Sequence, residues 1–347
     1  MELSFSSVPR PHRTPRLRVL INGNLIISTV GAEVTHTSLQ TASTFHLTAS
    51  IFERPDLGAD YWASLTQAHV RVQVNVDQDS PYTDIIEGYC DSVYLDPVMG
   101  FVQIDGRDHS ALLLDTKTPT DFQNQTSSDI VRTLAETHDL NPVIVQTSSY
   151  AGRRYGDNHN VTSLLQFTKL ASDWDVLVAL AEAEGFDIFV DGKNLYFQPR
   201  DARSKVAVDI SYADLIGCRM ERLLTLAEAA NVTVKSWNSS DGTIVSETAG
   251  THGQQGPRFT VIRPNLSPPQ ASAVAQQMAR EMDQQSMTVE LTMPGDCSLA
   301  ARQAIRLLGT NTVFDQIYQI EAIHRRFRPA LGFTQVVRAR PAWAARN

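Results

Sequence analysis

Residues 172–197, SDWDVLVALAEAEGFDIFVDGKNLYF, combine a helix, a strand, a tight turn and a second strand in one short stretch. Trp174, Leu177 and Ala181, preceded by Leu170, recur at steps of four, three and four, which places them on one helical face. No side chain here is placed for chemistry. The stretch is therefore predicted to fold and pack as a small α+β unit.

The ends of these elements are marked in the sequence. Ser172 can cap the helix, with Asp175 three residues later as its capping-box partner. Gly185 stands where a helix favours a left-handed residue at its C-terminus. Asp191-Gly192 is a two-residue hairpin signal between apolar runs. We therefore expect a helix that stops at the glycine and a hairpin that follows it.

The order of residues in this unit is more specific than its spacing. The pattern Asp-Trp-x-x-Leu-x-x-Leu-Ala-x-x-x-Gly-Phe, followed by a hairpin ending in Leu-Tyr-Phe, spans residues 173–197. It resembles the baseplate hub proteins of contractile phage tails, the late control protein D family. That family is related to the N-terminal hub part of type VI secretion spike proteins.

Length and composition indicate a globular protein of two or three domains. The chain has 347 residues, of which 42% are hydrophobic and 20% charged. Its apolar runs are far shorter than the roughly 18 residues of a membrane span. Residues 1–15 lack the apolar stretch of a secretory signal and are expected to form an N-terminal arm.

The three cysteines do not indicate a disulfide or a metal site. Cys90, Cys218 and Cys297 are far apart and show neither CxxC nor Cys/His ligand spacing. We expect them to be reduced, mostly buried side chains in a protein made in a reducing host cytoplasm.

The net charge argues against sequence-specific DNA binding. A protein that grips phosphates usually has a basic field, whereas this chain carries a formal charge of −8. An acidic balance suits a channel through which DNA passes without sticking, and this is our hypothesis for the lumen.

The first region, residues 16–115, is predicted to be a small antiparallel β-barrel. Residues 69–76 alternate with four valines on one face, and residues 17–21 alternate into an Asn22-Gly23 turn. A brief helical stretch is expected near residues 57–65. Gly88, Tyr89, Asp91 and Val93, followed by Gly106-Arg107-Asp108, resemble the first barrel of the hub family. Arg107, Asp108 and His109 are interpreted as structural polar residues at the barrel exit, in preference to catalytic ones.

The middle region, residues 116–200, is predicted to be an α+β domain. Ser127 or Ser128 can cap a helix that is closed by Asn141-Pro142, with a short strand after it. The loop over residues 147–160 holds Arg153, Arg154 and Tyr155, for which a solvated loop or subunit contact is favoured over nucleic-acid contact.

The last region, residues 201–347, is predicted to be a second β-barrel with a helical insertion at about 267–285. Residues 231–237 form a strand, and the Gly/Ser/Thr/Gln-rich residues 238–256 are expected to form a mobile loop. The predicted helix has a small-residue apolar face that can lie on its own barrel or on a neighbouring subunit. Residues that match the family's second barrel are Tyr318, Ile320, His324, Gly332, Phe333 and Thr334.

One local departure from the family pattern concerns a turn in this region. Pro294-Gly295-Asp296 is present, but Ala300-Ala301 stand where the family usually has a second glycine. We expect a changed turn there and the same fold.

The sequence offers no catalytic constellation. There is no HExxH, GxSxG, P-loop or GxGxxG motif, and the histidines show no ligand spacing. His324 near Glu321 is interpreted as a hydrogen-bonded structural residue. Asp173 and Asp175 fall at a helix start, where the macrodipole favours them. We therefore predict no catalytic, cofactor-binding or metal-binding residues, no cofactor and no enzymatic activity.

Motifs that resemble the hub family fall at the start, middle and end of the chain. The resemblance implies two tube-like barrels flanking α+β material, and a homotrimer whose six barrels form a pseudo-sixfold ring. It implies a structural baseplate hub in the virion tail, joining the tail tube to the central spike and lining the DNA channel.

The expected partners are a separate spike protein and the tail tube or a tail-completion protein. The tape-measure protein and baseplate wedge proteins are further candidates. The alternatives are the hub of a type VI-like or other phage-derived injection system and, less favoured, a tail-associated cell-wall hydrolase.

Overall fold

The computed structural model describes residues 14–26, 29–38, 40–52, 57–77, 80–117, 122, 124–148, 154–155, 161–162, 171–199, 208–224, 231–237, 244–250, 258–263, 266, 268–329 and 331–342. Most of the predicted N-terminal arm, residues 1–15, and Leu170 lie outside this part. The chain divides into two compact units. The first unit comprises Met1–Ala202, Pro294–Leu299 and His324–Gln335, and the second unit comprises Arg203–Met293, Ala300–Ile323 and Val336–Asn347.

The described residues are organised mainly in strands. Up to residue 202 the strands are β1 (Arg16–Ile21), β2 (Asn24–Ile26), β3 (Thr29–Thr37), β4 (Thr44–Ser50), β5 (His69–Asn75), β6 (Thr83–Asp96), β7 (Phe101–Asp108), β8 (Asn141–Ile144), β9 (Arg154–Tyr155), β10 (Val161–Thr162), β11 (Phe186–Asp191) and β12 (Asn194–Pro199). The later strands are β13 (Val208–Ser211), β14 (Gly217–Arg222), β15 (Asn231–Trp237), β16 (Ile244–Gly250), β17 (Arg258–Ile262), β18 (Met287–Pro294), β19 (Ala304–Leu308), β20 (Ile317–Arg328) and β21 (Gly332–Pro341). The helices are α1 (Ala59–Ala63), α2 (Ser110–Asp115), α3 (Ser127–Thr137), α4 (Asp173–Glu184) and α5 (Pro268–Gln284).

The first unit contains an antiparallel sheet with the strand order β2-β1-β5-β6-β7-β4-β3. Val70, Val72 and Val74 are at most 1% exposed, as the alternation in β5 predicted. Asn22 and Gly23 both have positive φ, 49° and 80°, as a type I′ hairpin requires between β1 and β2. The apolar sides of these strands form one continuous core.

The 172–197 stretch folds as predicted from its caps. Ser172 accepts a hydrogen bond from the backbone N–H of Asp175, and the Asp175 side chain accepts one from the backbone N–H of Ser172. Gly185 ends α4 with φ 69°. The core of this part of the first unit is formed by α3, α4 and the sheet β11-β12-β8, and includes Trp174, Leu177 and Ala181.

Three local details differ from the sequence prediction. Thr126, and neither Ser127 nor Ser128, caps α3, because its hydroxyl and the Asp129 carboxylate complete a capping box. The helix ends at Thr137, so Asn141-Pro142 begins β8 instead of closing α3.

The β11–β12 turn is the third difference. Asp191 pairs with Asn194, which makes Gly192-Lys193 the two loop residues. Gly192 has φ 55° at the first loop position, as a type II′ turn needs.

The second unit holds β14 antiparallel to β18 and β13 parallel to β19. A separate three-stranded sheet, β16-β15-β17, is packed against α5 through Val232, Val234, Ala271, Ala275 and Ala279. The small-residue face of α5 therefore lies on this chain's own strands, one of the two options left open by the sequence.

The prediction of a mobile loop over residues 238–256 is wrong for the central residues. Ile244–Gly250 forms β16, which pairs antiparallel with β15 over its whole length. Ser246, Thr248 and Gly250 weakened the strand signal in the sequence. The hydrogen bond between Thr233 and Thr248 at 2.9 Å shows how such residues pair across strands. Residues 238–243 and 251–256 lie outside the described part.

The chain is β-rich with a large antiparallel sheet, as the fold-class prediction required. The number of barrels and the domain limits at residues 115 and 200 stay predictions.

Two glycines allow a close approach between β6 and β7. A Cβ atom at Gly88 would lie 2.0 Å from the carbonyl oxygen of Arg107, and one at Gly106 would lie 2.2 Å from that of Tyr89. Gly88→Ala is expected to lower the free energy of unfolding by about 1–3 kcal/mol, because the backbone must shift. Urea unfolding followed by circular dichroism measures this.

Gly31→Ala is the matched control on the same sheet. A Cβ there would meet the carbonyl oxygen of Phe327 at 3.6 Å, an ordinary contact. We expect it to be neutral or stabilising by up to about 1 kcal/mol. Equal destabilisation by both substitutions would contradict the close-approach argument.

Candidate functional site

Arg107, Asp108 and His109 lie at the end of β7. Tyr89 pairs with Arg107 and Gly88 pairs with Asp108, so the two family-like motifs of this region are hydrogen-bonded neighbours. The register shifts between Cys90 and Ser92, which places a bulge in β6 at this point.

Arg107 joins two elements through its guanidinium group. It donates to both carboxylate oxygens of Asp91 at 2.7 and 2.8 Å. It also donates to both oxygens of Asp115, at the end of α2, at 3.2 and 2.7 Å. These hydrogen bonds raise the pKa of Arg107. The bidentate geometry on each carboxylate fits a structural cross-link within this chain.

Asp108 connects the end of β7 to the backbone of Ser43 and Ser110. The residue is buried, and its carboxylate accepts hydrogen bonds from the backbone N–H groups of Ser43 and Ser110, at 2.9 and 3.0 Å. Burial raises the pKa of Asp108, against the effect of these hydrogen bonds. The Asp108 carboxylate therefore stabilises the backbone of its own chain.

His109 belongs to a cluster with His69 and Glu87. The His69 Nε2 atom lies 3.0 Å from Glu87 Oε1, and His109 Nε2 lies 4.0 Å from the same oxygen. The rings of both histidines pack edge-on against Tyr89, with centroids 5.6 and 5.3 Å away. Sequence reasoning missed this cluster, because its members are 18 and 22 residues apart and lie on three elements.

Glu33 is the centre of a second cluster of charged side chains within the first unit. Its carboxylate lies 2.8 Å from Arg326 Nε and 3.0 Å from Arg328 Nη2. Burial raises the pKa of Glu33, but hydrogen bonds and charge from Arg328 and Arg326 hold it below its usual value. His324 is hydrogen-bonded to the Thr35 hydroxyl at 2.9 Å.

The other acidic residues weighed in the sequence are also held by partners. Glu321 forms ion pairs with Arg338 and Arg340, at 3.2 and 3.1 Å, in the second unit. Asp173 binds His138 Nε2 at 2.8 Å. Each of these two carboxylates is paired with a side chain of its own chain.

The structure also places the cysteines and the basic-aromatic residues that the sequence analysis singled out. Cys90, Cys218 and Cys297 are free thiols, as predicted, but each is half-buried. Arg154 and Tyr155 lie in β9, which pairs with β10, whereas Arg153 lies outside the described residues. No helix in the described part of the chain is long and apolar enough to cross a membrane.

Comparison with known families gives one match over most of the chain. The family described as "Alg8 N-terminal domain" matches residues 96–308. The chain belongs to this family. No curated protein matches the sequence significantly.

Solved structures give a separate likeness, at the level of fold. The 43 kDa tail protein of prophage MuSo2 from Shewanella oneidensis is 15% identical, with a TM-score of 0.70 over 95% of this chain and 100% of that one. A tail protein from Neisseria meningitidis is 12% identical, with a TM-score of 0.73 over 94% and 96%. An E. coli component of the type VI secretion system, described as structurally similar to the T4 phage tail proteins gp27 and gp5, is 12% identical, with a TM-score of 0.56 over 94% and 77%.

The fold is thus shared with phage tail proteins and with a type VI secretion component. At this identity the likeness concerns fold, which agrees with the predicted tail-protein resemblance and leaves the hub role to be argued separately. None of these three neighbours is described as an enzyme.

His36 on β3 makes the stability of the first unit sensitive to acid. Its Nε2 atom is buried and has no hydrogen-bond partner among the described residues, although the residue as a whole is partly exposed. Burial and the nearby charge of Arg325 lower the pKa of His36 to about 3, against a hydrogen bond to the Ile85 backbone. The folded protein therefore keeps this ring neutral in mild acid.

We expect stability to fall as the pH drops below about 6.5, because only the unfolded chain then takes up the proton. The contribution of His36 is about 1.4 kcal/mol per pH unit between that value and its folded-state pKa. Urea unfolding between pH 7 and pH 4 should show a flatter dependence in His36→Gln than in the unchanged protein. Parallel curves for the two proteins would contradict the prediction.

Proposed function

We propose that this chain is the structural hub subunit of a contractile tail baseplate, and that three copies form a pseudo-sixfold ring. In this role the ring joins the tail tube to the central spike and lines the channel for DNA in the virion. The formal charge of −8 suits passage of DNA without adhesion.

The observation that carries the proposal is the extent of the shared fold. The likeness to a prophage tail protein covers 95% of this chain and 100% of the other, so it is not confined to one module. A second likeness, to a type VI secretion component, covers 94% of this chain. A hub is the part that phage tails and type VI spikes are expected to share. The family-like motifs are also distributed along the whole chain, at its start, middle and end.

A structural role agrees with the chemistry of the polar groups. Arg107 is engaged by Asp91 and Asp115, and Glu33 is engaged by Arg326 and Arg328. Within the described residues these ion pairs join neighbouring strands and one helix. Such cross-links suit a subunit that must keep its shape under mechanical force. We propose no catalytic activity.

An apolar hairpin tip offers a surface for a neighbouring copy. At the β6–β7 turn, Val98 is 87% exposed and Met99 is 70% exposed. Phe52 is 69% exposed and lies against Gly100, where a Cβ would come within 1.7 Å of its ring. Exposed apolar side chains that cluster in this way mark interaction surfaces. We propose that the tip packs against the next subunit of the ring.

The proposed partners outside the ring are a central spike protein on one face and the tail tube or a tail-completion protein on the other. The tape-measure and wedge proteins are further candidates. The same subunit could serve a type VI-like or other phage-derived injection system, whose physical requirements for a ring are the same.

The oligomeric state tests the proposal. The purified chain, alone and mixed with its spike partner, is expected to give a particle of about 115 kDa for the chain component, three times the 38.4 kDa of one copy. Light scattering after size exclusion measures the mass, and negative-stain images should show rings. A stable monomer that forms no ring even with the spike protein would refute the trimeric hub.

A single charge tests the hairpin tip separately. Val98→Glu is expected to shift the equilibrium toward monomer by at least about tenfold, because a carboxylate would be buried in the contact. Asn24→Glu adds the same charge at an exposed position of the β1–β2 hairpin and should leave assembly unchanged. Rings that persist in Val98→Glu would remove the tip from the interface without affecting the hub assignment.

A further inference from the structure

We propose that His69, Glu87 and His109 bind one divalent transition-metal ion, with Zn²⁺ as the best match, through two Nε2 atoms and a carboxylate oxygen. Two imidazoles and one carboxylate form a ligand set that Zn²⁺ accepts, with a water molecule in the fourth position. The proposal does not rest on the proposed hub function, and it gives His109, which the sequence analysis interpreted as structural, a role as a ligand.

The spacing of the three ligand atoms fits a metal centre. They lie within 4.8 Å of one another, with Glu87 Oε1 3.0 Å from His69 Nε2 and 4.0 Å from His109 Nε2. Bonds of about 2.0–2.1 Å in a tetrahedral site place ligand atoms about 3.3 Å apart. Small side-chain rotations therefore suffice to close the site.

His109 supplies the second, independent observation. Its side chain is 1% exposed, and its Nε2 atom has no hydrogen-bond partner among the described residues. A buried polar atom without a partner is unfavourable unless a ligand satisfies it. A metal ion between Nε2 and Glu87 would satisfy it directly.

The groups are in the protonation states that a metal needs. Burial lowers the pKa of His109, against the opposing effect of Glu87, so the imidazole is neutral at pH 7. Burial raises the pKa of Glu87, but the hydrogen bond with Arg71 and the charge of Arg71 hold it below the usual value. Neutral imidazole and ionised carboxylate are the ligand forms.

The ligands stand on a stiff framework. His69 pairs with Tyr89, and Glu87 pairs with Arg71, in the antiparallel register of β5 and β6. His109 occupies the N-cap position of α2, directly after β7. A metal would therefore clamp three elements at the barrel exit, and its binding free energy would add to the stability of the folded chain.

Arg71 is the competitor for Glu87. Its Nη2 atom lies 2.9 Å from Glu87 Oε1, the oxygen that the metal would use. The nearby guanidinium charge disfavours a second cation, so Arg71 should weaken the site without abolishing it. Removal of this charge in Arg71→Met should therefore strengthen metal binding. A cluster held only by hydrogen bonds does not predict that effect.

The test uses the full chain after treatment with a chelating resin. Addition of Zn²⁺ should give one bound ion per chain by equilibrium dialysis and elemental analysis, and should raise the unfolding temperature. Co²⁺ should give the visible absorption of a site with nitrogen ligands, and Mg²⁺ should not compete. His109→Gln is expected to weaken Zn²⁺ binding by at least about 100-fold, and Arg71→Met to tighten it by about tenfold.

His46→Gln is the matched control. His46 lies 2.6 Å from Asp105 and forms an exposed His–carboxylate pair on the same sheet, outside the three-ligand cluster. Loss of Zn²⁺ binding in His46→Gln, equal binding in His109→Gln, or no bound Zn²⁺ in the unchanged protein would each overturn the proposal. If His109→Gln fails to fold, His69→Gln and Arg71→Met still decide it, because weaker binding in Arg71→Met contradicts the site.

Discussion

The close approach of β6 and β7 is the constraint on which the first unit depends. Gly88 and Gly106 let the backbones approach to a distance that no side chain would permit. This approach sets the register that places Arg107 opposite Tyr89 and beside the bulge carrying Asp91. The same register delivers His109 to the pair formed by His69 and Glu87. The ion pairs of Arg107 and the histidine cluster thus both follow from two positions without a Cβ.

Much of this fold could be predicted because its signals are local. The alternating valines of β5 and the capping box of α4 each need only a few consecutive residues, and both were predicted. Local signals failed where two candidates compete within a few positions, as at Thr126 and Ser127. They failed again at residues 244–250, because Ser, Thr and Gly favour a loop in isolation, whereas pairing with β15 makes them a strand.

The polar clusters could not be predicted, because their members are distant in sequence. The partner of His324 is Thr35, with Glu33 nearby, and not the adjacent Glu321. His69, Glu87 and His109 have no recognisable spacing, since each comes from a different element. Such sites are created by strand register, which one sequence does not reveal.

The Glu33 cluster also has a consequence for synthesis of the protein. Glu33 and Arg328 are 295 residues apart, yet β3 and this end of β20 are neighbours in the first unit. At about 5–20 residues per second, a ribosome needs roughly 15–60 s to supply the second partner after the first. Through that interval one edge of β3 is unpaired, and an unpaired edge attracts other strands. The nascent chain therefore passes through a long window in which premature association, and help from chaperones, would matter most.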